Sequence, residues 1–249
     1  MRVIIFLYFL CSITFGSVFA SNSYNTEEIV NSKQQIEKIQ KHINEVYQKI
    51  KNNNAEATTL LDRVAFRNAY WGFLNLKENK LLPKTTTLIT ICDFNLSANK
   101  KRLWVIDLSN NKVLYHSLVS HGKNSGEEFA TSFSNTVNSY QSSLGFFVTD
   151  TTYFGKNGYS LRLNGMDKGF NCNALERAIV MHGAAYCSED FIVENQRLGR
   201  SYGCPAVPNE IAQELIDVIK EKSCLYIHFD SPSFTSQSVW LNKVPTVVL

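Results

Sequence analysis

After Pro83 the chain drops helical spacing and breaks into short runs rich in β-branched and aromatic residues, at 87–94, 102–108, 112–120, 144–152, 159–164, 177–181 and 224–229. Runs of this length, separated by Asn, Gly and Ser loops, cannot satisfy their backbone groups alone and argue for a β-sandwich or barrel-like core. The expected fold class is therefore mainly β, with N-terminal helices and a few peripheral ones. Ser109-Asn110-Asn111-Lys112, between two runs, has hairpin chemistry because Asn tolerates positive φ. Helical pieces are expected at about 188–196 and 209–221.

Ahead of Pro83 the pattern is helical. Ile29, Ile36, Ile39, Ile43, Val46 and Ile50 recur at steps of three and four after Ile36, giving the region 21–54 an amphipathic helix. Its seam should pack on its own domain, and it also offers a surface for self-association. A second helix is expected from Asp62 to Asn79, with Val64, Phe66, Tyr70, Phe73 and Leu74 turned inward. The catalytic portion is then expected over 62–231, followed by a tail at 232–249.

Residues 1–20 carry one charge, Arg2, then an apolar stretch and the small-residue ending Ser17-Val18-Phe19-Ala20, the pattern of a secretory signal peptide. That stretch is shorter than the roughly 18 to 20 residues of a membrane-spanning helix, so no stable membrane span is expected. Leu10 before Cys11, where a small residue belongs, argues against lipidation. Of 25 basic and 22 acidic residues, loss of Arg2 leaves a net charge of +2, too small a bias to suggest nucleic acid. Five cysteines then remain, Cys92, Cys172, Cys187, Cys204 and Cys224, and an odd count in an exported chain leaves at least one thiol without an internal partner. Cys92 and Cys224 lie in apolar runs as small hydrophobes. Cys172 and Cys187 sit in loop-like contexts where pairing is open. Cys204 is left for chemistry.

Cys204 stands in Arg200-Ser201-Tyr202-Gly203-Cys204-Pro205-Ala206, hemmed by Gly and Pro on a bend, and His182-Gly183 ends an apolar run 22 residues before it. An imidazole that takes the thiol proton makes a nucleophile of the sulfur. His182-Gly183, a gap of 17 residues, then Ser201-Tyr202-Gly203-Cys204 resembles the active-site signature of the murein L,D-transpeptidases, in a divergent Gly-Cys-Pro-Ala form.

The resemblance implies a β-rich catalytic domain with Cys204 as nucleophile, His182 as base and a carbonyl near Gly183 orienting the imidazole. Peptidoglycan stem peptides are the implied partner, and the bacterial periplasm or cell wall the implied location. Two positions depart from the usual pattern. His is usual where Tyr202 stands, and an Arg is common where Ala206 stands. Substrate-carboxylate binding or site scaffolding then falls to another cation, with Arg200, Arg162 and Arg197 as candidates and Arg200 preferred. Pro205 has no N–H, so an oxyanion must be met by Cys204, Gly203 or Tyr202 amides or by another segment. Ser201 is expected to fix this loop.

A second His-Gly, His121-Gly122, opens a long polar segment through Ser125 to Asn135, expected to contact substrate, with His121 as the rival base. No Cys-x-x-Cys or His-x-x-x-His spacing occurs, so neither a metal nor another cofactor is expected. The order His before Cys argues against a papain-like protease. The expected activity is acyl transfer through a Cys204 thioester. Hydrolysis of the same L,D-bond, or a catalytically weak wall-binding module of the same fold, stands as the alternative.

Overall fold

The computed structural model describes residues 26–246; the expected signal peptide and Cys11 lie outside them. Helix α1, Thr26–Asn53, lays Ile39, Ile43, Val46, Tyr47 and Ile50 into the core at 0 to 7 % exposure. Helix α2, Arg63–Glu78, starts where the Asp62 carboxylate accepts from the Val64 and Ala65 amides, satisfying two of the orphan donors of its first turn. Phe66, Tyr70, Phe73 and Leu74 turn inward as expected, whereas Val64 lies at the helix start on the solvent side, 41 % exposed. Tyr47 packs on Phe66, and His42 hydrogen-bonds the Tyr70 hydroxyl, so the seam of α1 is filled within the chain.

That filling has a measurable consequence. Each of the five buried α1 side chains stabilises the fold by about 1.5 to 3 kcal/mol, a sum comparable to the whole stability of a domain, about 5 to 15 kcal/mol. A chain starting at Ala55 is therefore expected to lose its cooperative thermal transition and its near-ultraviolet circular dichroism. A truncated chain that melts within a few degrees of the full one would show that α1 is not part of the core.

The strands are β1 (Leu88–Asp93), β2 (Leu103–Asp107), β3 (Lys112–Ser117), β4 (Gly145–Gly155), β5 (Gly158–Gly165), β6 (Val180–Gly183), β7 (Ala206–Val207) and β8 (Cys224–His228). They form one sheet in the order β3-β2-β1-β8-β4-β5-β6-β7. Pairings are antiparallel except β1 with β8 and β6 with β7. The chain after β3 folds round to the far edge, where Ser120 N–H donates to Ala206 O at 2.8 Å and Gly122 bridges Ser201. The sheet is thereby nearly closed into a barrel, which removes most of its unpaired edge. Asn111, at φ 51°, makes the β2–β3 hairpin turn that the sequence chemistry calls for.

Helices α3 (Glu189–Asn195) and α4 (Asn209–Ile219) fall where expected. The expected tail is structured as far as Thr246. Ser231 caps α5 (Pro232–Gln237), and α6 (Val239–Asn242) follows; Asn75 of α2 donates to Trp240 O and Lys243 O at 2.8 Å, and Ser238 donates to buried Asp167 at 2.6 Å. Cys172 is exposed, Cys187 is buried, and both are free, so these two do not pair.

Candidate active site

Strand β6 carries His182 and Gly183, paired in parallel register with Ala206 and Val207 of β7, so Cys204 enters two residues before a strand that is hydrogen-bonded to the histidine's own. Both side chains border one cavity of about 540 Å³, whose walls include Tyr186, Ser201, Tyr202 and the basic residues Lys123, Lys156, Arg197 and Arg200.

The His182 ring donates from Nδ1 to Gly183 O at 2.8 Å, which fixes the tautomer and leaves a lone pair on Nε2. Burial lowers its pKa, and the bond to Gly183 opposes this in part, so the ring is neutral at pH 7. The Gly183 α-carbon does not face a ligand. A side chain there would meet Asn209 and Ala212 of α4 at 2.7 and 2.9 Å, so the glycine gives room to that helix and not to a substrate.

Cys204 is 9 % exposed, more enclosed than a cysteine on a free bend. Its Sγ accepts from Val180 N–H at 3.5 Å and donates to Ala178 O at 3.6 Å. Burial raises the thiol pKa, while the Val180 amide and the charge of Arg177 pull it down. The bend before it is locked by Ser201, whose hydroxyl donates to Cys204 O at 2.6 Å and accepts from Gly203 N–H at 3.0 Å. Gly203, at φ 118°, occupies backbone space closed to other residues, with Gln141 O only 2.6 Å from where a Cβ would stand. With the Gly203 amide bound and Pro205 lacking one, the Tyr202 and Cys204 N–H groups are without hydrogen-bond partners among the described residues.

Three sequence-predicted residues, His121, Ser125 and Arg162, stand outside the cavity walls. His121 is fully buried behind the cavity, its Nδ1 2.8 Å from Arg102 and its Nε2 3.3 Å from Gly126 O, with its pKa lowered to about 4 by burial and the neighbouring cation. Ser125 is buried too, accepting from Ser142 N–H at 2.8 Å and knitting its loop together away from the cavity walls. Arg162 stacks over Tyr153 at 4.2 Å, outside the cavity walls. Arg200 does border the cavity, yet its NH1 is committed to Glu127 at 2.7 Å and to Lys123 O and Gly126 O at 3.0 and 2.9 Å. Arg197 takes the other Glu127 oxygen at 3.1 Å. Ala206 is fully buried in a small apolar cluster with Ala98, Leu118, Ala184, Cys187 and Leu198, a place that could not hold a guanidinium without a partner.

Arg177 and the Lys123 platform escaped sequence reading. Arg177 gathers Ser134 O, the Ser139 and Ser143 hydroxyls and Gln141 O, which presses the Gln141 carbonyl against Gly203. Its Nε is buried without a partner. Tyr140 and Tyr202 lie 4.9 Å apart, and Lys123 Nζ stands 4.6 Å from each ring centre.

Fold and site together define a barrel-like domain with a thiol and an imidazole facing one basic cavity. Residues 56–228 match the family described as the L,D-transpeptidase catalytic domain, and the chain belongs to that family. Similar solved structures include an L,D-transpeptidase from Mycobacterium smegmatis, at 13% identity over 57% of this chain and 59% of that one, TM-score 0.35. Another, from Xylanimonas cellulosilytica, shares 14% identity over 59% of this chain and 63% of that one, TM-score 0.34. A third, from Stackebrandtia nassauensis, shares 11% identity over 69% of each chain, TM-score 0.35. The chain thus spans less than two thirds of the first two. No curated protein matches it.

Proposed function

We propose that this protein is an exported cysteine acyltransferase of peptidoglycan, acting on tetrapeptide stems. The observation that carries the reading is the shared cavity of Cys204 and His182, with the imidazole held by Gly183 O so that Nε2 can accept a proton. The Sγ–H proton passes to Nε2 as sulfur bonds the carbonyl carbon of the L,D-peptide bond. Ionisation also removes the donor that ties sulfur to Ala178 O, and the repulsion that replaces it turns the thiolate toward the cavity. The unbound amides of Cys204 and Tyr202 are the available donors for the oxyanion. An oxyanion-hole donor is typically worth about 2.7 to 4 kcal/mol of barrier.

Collapse of the tetrahedral intermediate breaks the C–N bond, and D-alanine leaves with the proton from His182. The stem remains as a thioester on Cys204. An amine from a second stem then attacks, gives its proton to His182 and forms the new amide, while the thiolate leaves and is reprotonated. Water in place of the amine gives the hydrolytic outcome. Incubation with purified muropeptides, followed by mass analysis, tests the reading. Dimers or shortened stems with release of D-alanine are expected, and recovery of unchanged muropeptides alone would overturn it.

A further inference from the structure

The cavity beside Cys204 is lined by four basic residues, Lys123, Lys156, Arg197 and Arg200, and by no acidic one. Two of these side chains are already engaged, because Arg197 and Arg200 share the single carboxylate of Glu127, one on each oxygen. The backbone of Lys123 is tied to the nucleophile loop, its N–H donating to Ser201 O at 2.8 Å. Its ammonium is held at 4.6 Å over both Tyr140 and Tyr202, and among the described residues no carboxylate pairs with it. Ring faces attract an ammonium electrostatically without consuming its N–H donors, so the cation is positioned and still able to bind an anion. Lys156 shares the cavity from the tip of the β4–β5 hairpin, where nothing comparable orders it.

Resting on the function proposed above, we infer that Lys123, cradled by Tyr140 and Tyr202, is the residue that recognises the terminal carboxylate of the donor peptide. That carboxylate lies one residue beyond the scissile bond, so its cation must stand close to the nucleophile, and Lys123 is bonded to the residue three places before Cys204. A preordered cation spends less entropy on binding than a free side chain does.

The test is calorimetric binding to full-length Cys204→Ala protein, which does not depend on turnover. The probes are a stem tetrapeptide ending in D-alanine and the same peptide with its terminal carboxylate amidated. The acid should bind about tenfold more tightly, as expected for a hydrogen bond to a charged group. Adding Lys123→Met should erase that preference, while Lys123→Arg should keep most of it and Lys156→Met should keep it in full. Thermal melting shows that each variant is folded. Equal binding of acid and amide by the Cys204→Ala protein, or a preference that survives Lys123→Met, overturns the assignment. Binding of neither peptide instead overturns the stem-peptide reading on which it rests.

Discussion

A Cys204→Ser protein is expected to fold and melt like the native chain and to form no covalent adduct with a stem peptide or a substrate-like β-lactam. The fold should tolerate the change because sulfur makes only two long hydrogen bonds, 3.5 Å from Val180 N and 3.6 Å to Ala178 O, and a hydroxyl of similar shape can form both. The chemistry is not indifferent. Even with its pKa raised by burial, a thiol yields its proton to an imidazole far more readily than a serine hydroxyl does, and the imidazole proposed to take it is fixed on a carbonyl. Loss of a catalytic nucleophile commonly lowers turnover by about 10⁴-fold or more. Intact-mass spectrometry after exposure to the β-lactam, run beside thermal melting, measures both halves of the expectation. D-Alanine release at the native rate from the substituted protein would mean that another group attacks.

The two His-Gly histidines should separate in kind as well as in degree. His182→Ala should slow adduct formation by about 10² to 10⁴-fold, the usual contribution of a general base, with little change in melting. His121→Gln keeps an acceptor for Arg102 and a donor for Gly126 O, and its adduct formation should stay near native. The stability of that variant should differ in its response to pH. In the native protein the folded pKa of His121 is lowered from 6.5 to about 4, so the unfolded chain takes up the proton first. His121 therefore contributes stability that is full above pH 6.5 and is lost as pH falls toward about 4. The melting temperature of the native protein should accordingly drop relative to His121→Gln across that window. Equal rate losses for the two histidines, or a constant difference in melting across the window, would reassign their roles.

What could be read from the chain follows the range of the interactions involved. Helix α2 announces itself through Asp62 and its inward stripe, and most of the strands through β-branched runs, because those signals are local. Strand β7 has only Ala206 and Val207, too few for an alternating pattern, and its pairing with β6 exists only in three dimensions. The helices after Phe229 were equally hidden, since their hold comes from Asn75 and Asp167, far back in the chain. In the site, the Cys204 and His182 pair was legible from its spacing. The nearness of Arg200 to Cys204 in sequence says nothing of Glu127, which occupies it. Arg177 looked like the start of a strand because its partners lie 34 to 43 residues away.

The register of His182 opposite Ala206 separates two things that a cleft usually couples. His182 faces Ala206, two residues after Cys204, across one rung of the β6–β7 ladder, while the chain between, from Ala184 to Arg200, makes an excursion that includes α3 and supplies cavity walls through Tyr186, Phe191 and Arg197. Insertions, deletions or exchanges within that excursion can reshape the cavity walls while the His182–Ala206 register stays in place. On the function proposed above, substrate choice is in that sense an exchangeable part, mounted on a ladder whose pitch the peptide bond itself sets.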